Sequence, residues 1–392
     1  MKCHKWTAGL VAAGVVSLGS VALAEEAAQH AVNTALQSTT LSGYVSTSAI
    51  WMFGKNVPSP AVVGRSFDGS AKQNNINLDV VNLTLEKPLD EGQWSAGYKV
   101  STWLGPDANT LNSTSSGLGF NTSDFAIRNA YVSLRAPIGN GLDFKFGVWD
   151  TLIGYETADS PNDPNFSRSY AFGIEPIQHT GVQASYKIND IISIAGGVAD
   201  RGDVNTINAN SGMRGVWTYL GSITLTAPES AGWLKGASLT AGAVDSGITS
   251  VTPGKTVPGT ADVVNYYVGG TMPLPISNLS LGASYDYRAN GLFDKSYENA
   301  VGGYLSWQAT EKLKLNGRGE YASGSNGAFG EITTADNVKL LGVTGTLDYS
   351  LWANAITRLE VRWDHALNGQ GVFLDSNARN AISLAMNVIY KF

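Results

Sequence analysis

The chain has 392 residues, of which 15% are charged and 45 are Gly, with a single Cys. A net charge of −6 offers polyanions no basic footprint, so nucleic-acid binding is not expected. Cys3 alone excludes a disulfide framework or a cysteine-based zinc site, and a mean hydropathy of −0.05 is too polar for a helical membrane protein.

Residues 1–24 read as a signal peptide. Lys2 and Lys5 give a positive start, Ala8 to Leu18 are largely apolar, and Ala22-Leu23-Ala24 fits the small-x-small cleavage pattern before Glu25. Cys3 is then discarded with the leader. Residues 25–39 form a short periplasmic segment, a good helix former too short to be stable alone. Beyond residue 24 no apolar run approaches the ~18 residues of a spanning helix. Membrane entry would therefore require a closed barrel, since an open sheet leaves backbone groups unpaired in lipid.

From residue 40 to 392 one pattern repeats: segments in which apolar side chains alternate with small or polar ones, the period of a one-faced strand. Sixteen are expected, over 40–53, 74–87, 93–104, 123–137, 142–150, 177–188, 191–200 and 215–227, then 234–245, 262–272, 277–288, 297–309, 312–324, 337–350, 355–367 and 380–392. In the segment at 277–288, Leu281, Ala283 and Tyr285 oppose Ser280, Ser284 and Asp286. In that at 355–367, Leu359, Val361 and Trp363 oppose Arg358, Glu360, Arg362 and Asp364. Ile382, Leu384, Met386, Val388, Tyr390 and Phe392 share one face of the last.

Short connections such as Asn189-Asp190 and Thr310-Glu311 interleave with long polar ones near 54–73, 105–122, 151–176, 201–214, 246–261, 289–296, 325–336 and 368–379. That layout predicts consecutive antiparallel strands, with every long loop on one side of a transmembrane barrel. A soluble sandwich is the other class with one-faced strands. Against it stand the charges of the polar face, Lys99, Lys145, Arg318, Glu320, Arg358, Glu360 and Arg362, which suit a wet lumen better than a dry core. Aromatics near the short turns (Trp94, Trp233, Trp307, Tyr349, Trp352, Tyr390) match an interfacial girdle. Arg128 breaks the parity set by Ala130, Val132 and Leu134; either a bulge resets it or the membrane section begins after it.

The leader, the sixteen strands and the closing run Met386-Asn387-Val388-Ile389-Tyr390-Lys391-Phe392 together resemble bacterial outer-membrane porins. Gly154-Tyr155-Glu156-Thr157-Ala158-Asp159-Ser160-Pro161, Asn165 to Gly173, Pro176 and His179-Thr180-Gly181-Val182 resemble the central motif of the OmpL-like β-barrel porins. Asn387 departs from the Gly common there. The resemblance implies an all-β, sixteen-stranded transmembrane barrel with its third long loop, 151–176, folded into the pore. It also implies Tyr390 and Phe392 as the signal read by the barrel-assembly machinery, a homotrimer, and contact with outer-membrane lipid and lipopolysaccharide.

A pore this wide needs a constriction for charge to act at short range. The loop offers Glu156, Asp159 and Asp163 as acids and Arg168 as a base, facing wall bases Lys99, Lys145, Arg318 and Arg362. The expected function is passive diffusion of small hydrophilic solutes and ions, with no cofactor, no metal and no reaction. Two other classes stay open: a plugged surface receptor or adhesin, and an outer-membrane hydrolase using His179 with Ser167 or Ser169. Trp149 and Tyr267 are expected to fill space on the lumen face.

Overall fold

The computed structural model describes residues 38–53, 64–111, 124–200, 217–252, 255–290, 296–325, 328–330, 337–368, 373 and 378–392. The leader 1–24, nearly all of 25–39, and parts of the long connections, including 201–214, lie outside the described residues. Within them, alternating side chains build sixteen strands. These are β1 (Thr40–Phe53), β2 (Asn75–Lys87), β3 (Ser95–Leu104), β4 (Phe125–Ala136), β5 (Leu142–Asp150), β6 (Gln178–Lys187), β7 (Ile192–Ala199) and β8 (Thr218–Thr226). The second half comprises β9 (Ser238–Thr252), β10 (Lys255–Pro273), β11 (Leu279–Asn290), β12 (Ser296–Gln308), β13 (Leu313–Gly324), β14 (Val338–Trp352), β15 (Ala355–Ala366) and β16 (Asn380–Lys391).

Each strand is antiparallel to the next, and β1 pairs with β16 to close the barrel. Closure matters physically because it leaves no strand edge without partners. Phe392 completes the seam: its N–H donates to Gly43 O at 3.0 Å and its carbonyl accepts from Gly43 N at 2.9 Å. The two faces separate as the pattern predicts. Leu359 is 43% exposed and Val361 50%, while Arg362 between Val361 and Trp363 is fully buried on the inner face. Trp94, Trp233 and Trp352 stand exposed beside the short turns. Among the described residues two short α-helices lie in the long connections, α1 (Ala108–Leu111) and α2 (Tyr170–Ile174), the latter capped by Ser169, whose hydroxyl accepts from Phe172 N.

Two departures from the sequence pattern are local. The long loop expected at 246–261 is mostly strand: β9 and β10 stay paired out to Thr252 and Lys255, with a register shift between Val257 and Ala261 where Pro258 cannot donate to the ladder. Small and polar residues there hide a strand signal that depends on apolar alternation. The second concerns Arg128. Ser101 pairs with Asn129 and Thr102 with Ile127, so Arg128 is the extra residue of a bulge and turns inward, only 2% exposed. A bulge in β2 does the same for Asp79, which is 1% exposed.

The assignment of faces has a measurable consequence. Val361→Arg, placed mid-strand on the outer face, should cost about 2–4 kcal/mol in reversible unfolding from lipid vesicles. Ser222→Lys, on the inner face, should cost far less; equal losses would contradict the face assignment.

Candidate functional site

The connection between β5 and β6 has little regular structure, so its backbone polar groups must find other partners. Charged side chains on the inner faces of β13 and β15 supply them. Glu360 accepts from Phe166 N at 2.6 Å and Ser167 N at 3.0 Å, and Glu320 accepts from Tyr170 N at 2.6 Å. Arg358 donates to the carbonyls of Ser160 (2.9 Å) and Asp163 (2.7 Å). Arg362 donates to Arg168 O at 2.5 Å, and Arg318 to Ser167 O at 2.7 Å. Both strands lie far around the wall from β5 and β6 in the closed order.

The acids and base of the connection are likewise engaged. Glu156 accepts from Arg318 at 2.8 Å and from Ser169 N at 2.6 Å. Asp163 pairs with Arg168 at 3.1 Å and accepts from Thr157 N at 2.8 Å. Arg168 donates to the carbonyls of Thr157, Ala158 and Phe166, with its guanidinium over the rings of Phe67 and Phe172. Glu156 thus touches the wall base Arg318 directly, while Asp163 is taken up by Arg168 of its own connection and Arg362 by Glu320 and Asp364. Burial pushes the Asp163 carboxyl up to about 7, with Glu156 adding to the shift and Arg168 opposing it.

Asp159 is different. It accepts from Tyr44 Oη at 3.1 Å and pairs with Arg128 at 3.1 Å, and its side chain keeps 22% of its surface. Arg128 also holds Asp150, whose side chain is 52% exposed, so the β4 bulge binds the connection to the near wall. Lys99 lies 3.9 Å from Glu86, both partly exposed, and Lys145 sits over the Tyr131 ring with its Nζ 5.0 Å from the centroid. A cavity of about 240 Å³ is lined by Lys99, Arg128, Asp150, Asp159, Thr151 and Phe172.

Two further segments join this assembly. Arg65, between β1 and β2, donates to Asp364 at 3.1 Å and Ser383 at 3.3 Å, and Phe67 packs 5.8 Å from the rings of both Trp103 and Phe172. Lys72 binds Asp79 at 2.8 Å and also Asp107 in the β3–β4 connection, which brings the buried Ala108 and Leu111 of α1 with it. Sequence reading missed Arg65, Lys72, Asp150 and Asp364. The first two lie in connections whose path no periodicity reports, and Asp364 stands on the polar face with nothing to mark its partners, Tyr170 and Arg65. Nε2 of His179 meets Thr151 Oγ1 at 3.0 Å, whereas Ser167 bonds Arg318 and Ser169 caps α2, so no His–Ser bond forms. Trp149 is fully buried and Tyr267 6% exposed, as space-filling requires.

A family model described as "Putative beta-barrel porin-2, OmpL-like" matches residues 38–392. No curated protein matches the chain. Among solved structures it is similar to the trimer form of OmpT from Vibrio cholerae, at 15% identity and a TM-score of 0.57, over 90% of this chain and 99% of that one. It is also similar to the outer-membrane channel DcaP of Acinetobacter baumannii, at 13% identity and a TM-score of 0.57, over 90% and 97% of the two chains. The anion-selective porin of Comamonas acidovorans aligns at 11% identity and a TM-score of 0.56, over 91% and 99%.

Arg318→Ala would remove the buried cation that pairs Glu156 and Glu320 and a donor to the Ser167 and Arg168 carbonyls. A loss of about 3–5 kcal/mol in unfolding free energy is expected. Asp163 gives a pH signature. Its carboxyl rises from 3.8 to about 7 on folding, so the folded state binds the proton more tightly. Its contribution is full below the unfolded pKa and is lost as pH rises through the folded one. Denaturation midpoints of the wild type should fall between pH 4 and 7 relative to Asp163→Asn, and run parallel above that.

Proposed function

The chain belongs to the OmpL-like β-barrel porin-2 family, and from that premise we propose that it passes small hydrophilic solutes and ions by passive diffusion through an off-centre water path. One observation carries this reading. The inner faces of β13 to β15 are buried under the β5–β6 connection, whereas those of β6 to β9, beyond the patch at Ala199, Leu220 and Val244 that Ile153 covers, present Ser185, Ser193, Ser222, Thr224 and Thr240, all still partly exposed. Small hydroxyl side chains leave room and hydrogen-bond water, as a channel wall must.

On this reading the β5–β6 connection folds into the pore and narrows it. The charges set beside the opening are Lys99 and Lys145 against Glu86, Asp150 and Asp159. Glu156, Asp163 and Arg168, with Arg318, Glu320, Arg358, Glu360 and Arg362 of the wall, hold the connection in place. Solute passage needs no cofactor and makes no bond, and His179 serves to fasten Thr151. The outer belt of Leu, Val and aromatic side chains suits outer-membrane lipid and lipopolysaccharide. Residues 1–24 then direct export and are cleaved off, and Tyr390 and Phe392 at the end of the chain present themselves to the assembly machinery. A homotrimer fits the trimer form of the similar OmpT.

A second reading draws on the packing of Phe67, Trp103 and Phe172, which joins connections from three places inside one wall. Extended across the lumen, such packing would make a closed surface receptor. Planar-bilayer recording separates the two: a channel gives discrete conductance steps and a plugged barrel gives none. With steps present, Lys99→Gln combined with Lys145→Gln should move the reversal potential toward cation preference, and Asp150→Asn toward anion preference. Unchanged potentials in both would remove these residues from the path.

A further inference from the structure

The cavity of about 240 Å³ beside the β5–β6 connection is lined by charges of both signs that their own contacts leave incompletely used. Lys99 of β3 stays partly exposed, and among the described residues its one ion pair is with Glu86, at 3.9 Å. Arg128 of the β4 bulge is buried, yet its Nε has no hydrogen-bond partner. On the acidic side, Asp150 at the end of β5 keeps half of its side-chain surface exposed despite its bonds to Arg128 and Asn129. Glu175, just beyond α2, has its buried Oε1 without a partner. Gly154, at φ 110°, leaves Glu175 its place at the lining, because a Cβ there would collide with Oε2. The rest of the lining includes Phe172 and Ile177, both buried and packed in one cluster with Trp103.

These features select a ligand by elimination. A buried donor or acceptor without a partner is costly, so a cavity with one of each favours a solute that supplies the complement of both. A simple anion would answer Lys99 and Arg128 and leave Glu175 and Asp150 unmatched. A simple cation would do the reverse. A neutral sugar would meet neither charge with a charge, and the apolar patch at Phe172 and Ile177 would gain little from its hydroxyls. Volume sets the size, since pockets for drug-sized ligands begin at roughly 300 Å³ and this one is smaller.

We propose that this cavity is a subsite for small α-amino acids with apolar side chains. The solute's carboxylate accepts from Lys99 and Arg128, its ammonium donates to Asp150 and Glu175, and its side chain lies against Phe172 and Ile177. No bond is made or broken. Binding is weak, as a conducting path requires, because a solute that enters must also leave. The proposal rests on the channel reading above and names the solute class that the path detains.

The test reconstitutes the full chain in planar bilayers and adds three matched solutes: L-valine, its deaminated counterpart isovalerate and its decarboxylated counterpart isobutylamine. Valine should half-block conductance at a concentration about tenfold below that of either counterpart, since it answers both charges at once. Lys99→Gln should raise the valine value to that of isobutylamine, and Glu175→Gln should raise it to that of isovalerate. Saturation-transfer NMR on the wild-type barrel in detergent reads valine binding without conduction, and either counterpart should displace valine only at about tenfold higher concentration. Equal values for the three solutes, an unchanged valine value in either variant, or no saturation transfer to valine would overturn the subsite. Saturation transfer to valine from a barrel that shows no channel steps would instead overturn the channel reading and leave the subsite standing.

Discussion

A chain segment without regular secondary structure can be buried only if something satisfies its backbone. In this barrel the something is a set of ionised side chains on two strands. Arg318, Glu320, Arg358, Glu360 and Arg362 bind carbonyls and amides between Ser160 and Tyr170. Charge-assisted bonds of this kind contribute roughly 1.5–3 kcal/mol each, against about 1 for neutral ones. The arrangement is also reciprocal: bringing the connection against the wall desolvates those charges, and its peptide dipoles replace the lost water. Neither partner could be buried alone.

Much follows from that bond set. Because the bases of β13 and β15 face peptide carbonyls and carboxylates, their charge is spent locally and projects little field into the remaining space. The charges left partly exposed belong to the other side, where the β4 bulge turns Arg128 inward between Asp150 and Asp159. Small side chains dominate the inner faces of β6 to β9, so an open path there would be wide, hydroxyl-lined and nearly balanced in charge. In the proposed channel, then, one half of the wall is a scaffold and the other half is the conduit.

The fold was legible because its physics is local. Period-two alternation reports a strand in a one-sided environment, and turn residues report where it ends. That logic located β1 at residues 40–53 and β5 at 142–150 with the same bounds as the structure. It weakened at β9 and β10, where Ser, Thr and Gly give no apolar alternation. The site was half legible. Parity placed Arg358, Glu360 and Arg362 on the inner face, yet a face is not a partner, and no spacing revealed that Phe166 and Ser167 amides would meet Glu360. Bulges were legible only as contradictions, as at Arg128; Asp79 raised none, because its neighbour Val80 masked the shift. The pairing of Arg65 with Asp364 spans most of the chain and left no sequence trace.

The β5–β6 connection hydrogen-bonds to β13 and β15 and packs Leu152 and Ile153 on Ala199, Leu220 and Val244, while Ser185, Ser193, Ser222, Thr224 and Thr240 of β6 to β9 stay partly exposed. Single-cysteine accessibility measures this most directly, with Cys3 replaced by Ser and either Ser222→Cys or Thr346→Cys introduced. A charged, water-soluble thiol reagent is added during single-channel recording. Ser222→Cys should react rapidly with a stepwise drop in conductance, while Thr346→Cys, under Asn165 and Glu360, should stay protected. Equal reaction at both positions, or protection at Ser222→Cys, would contradict the account.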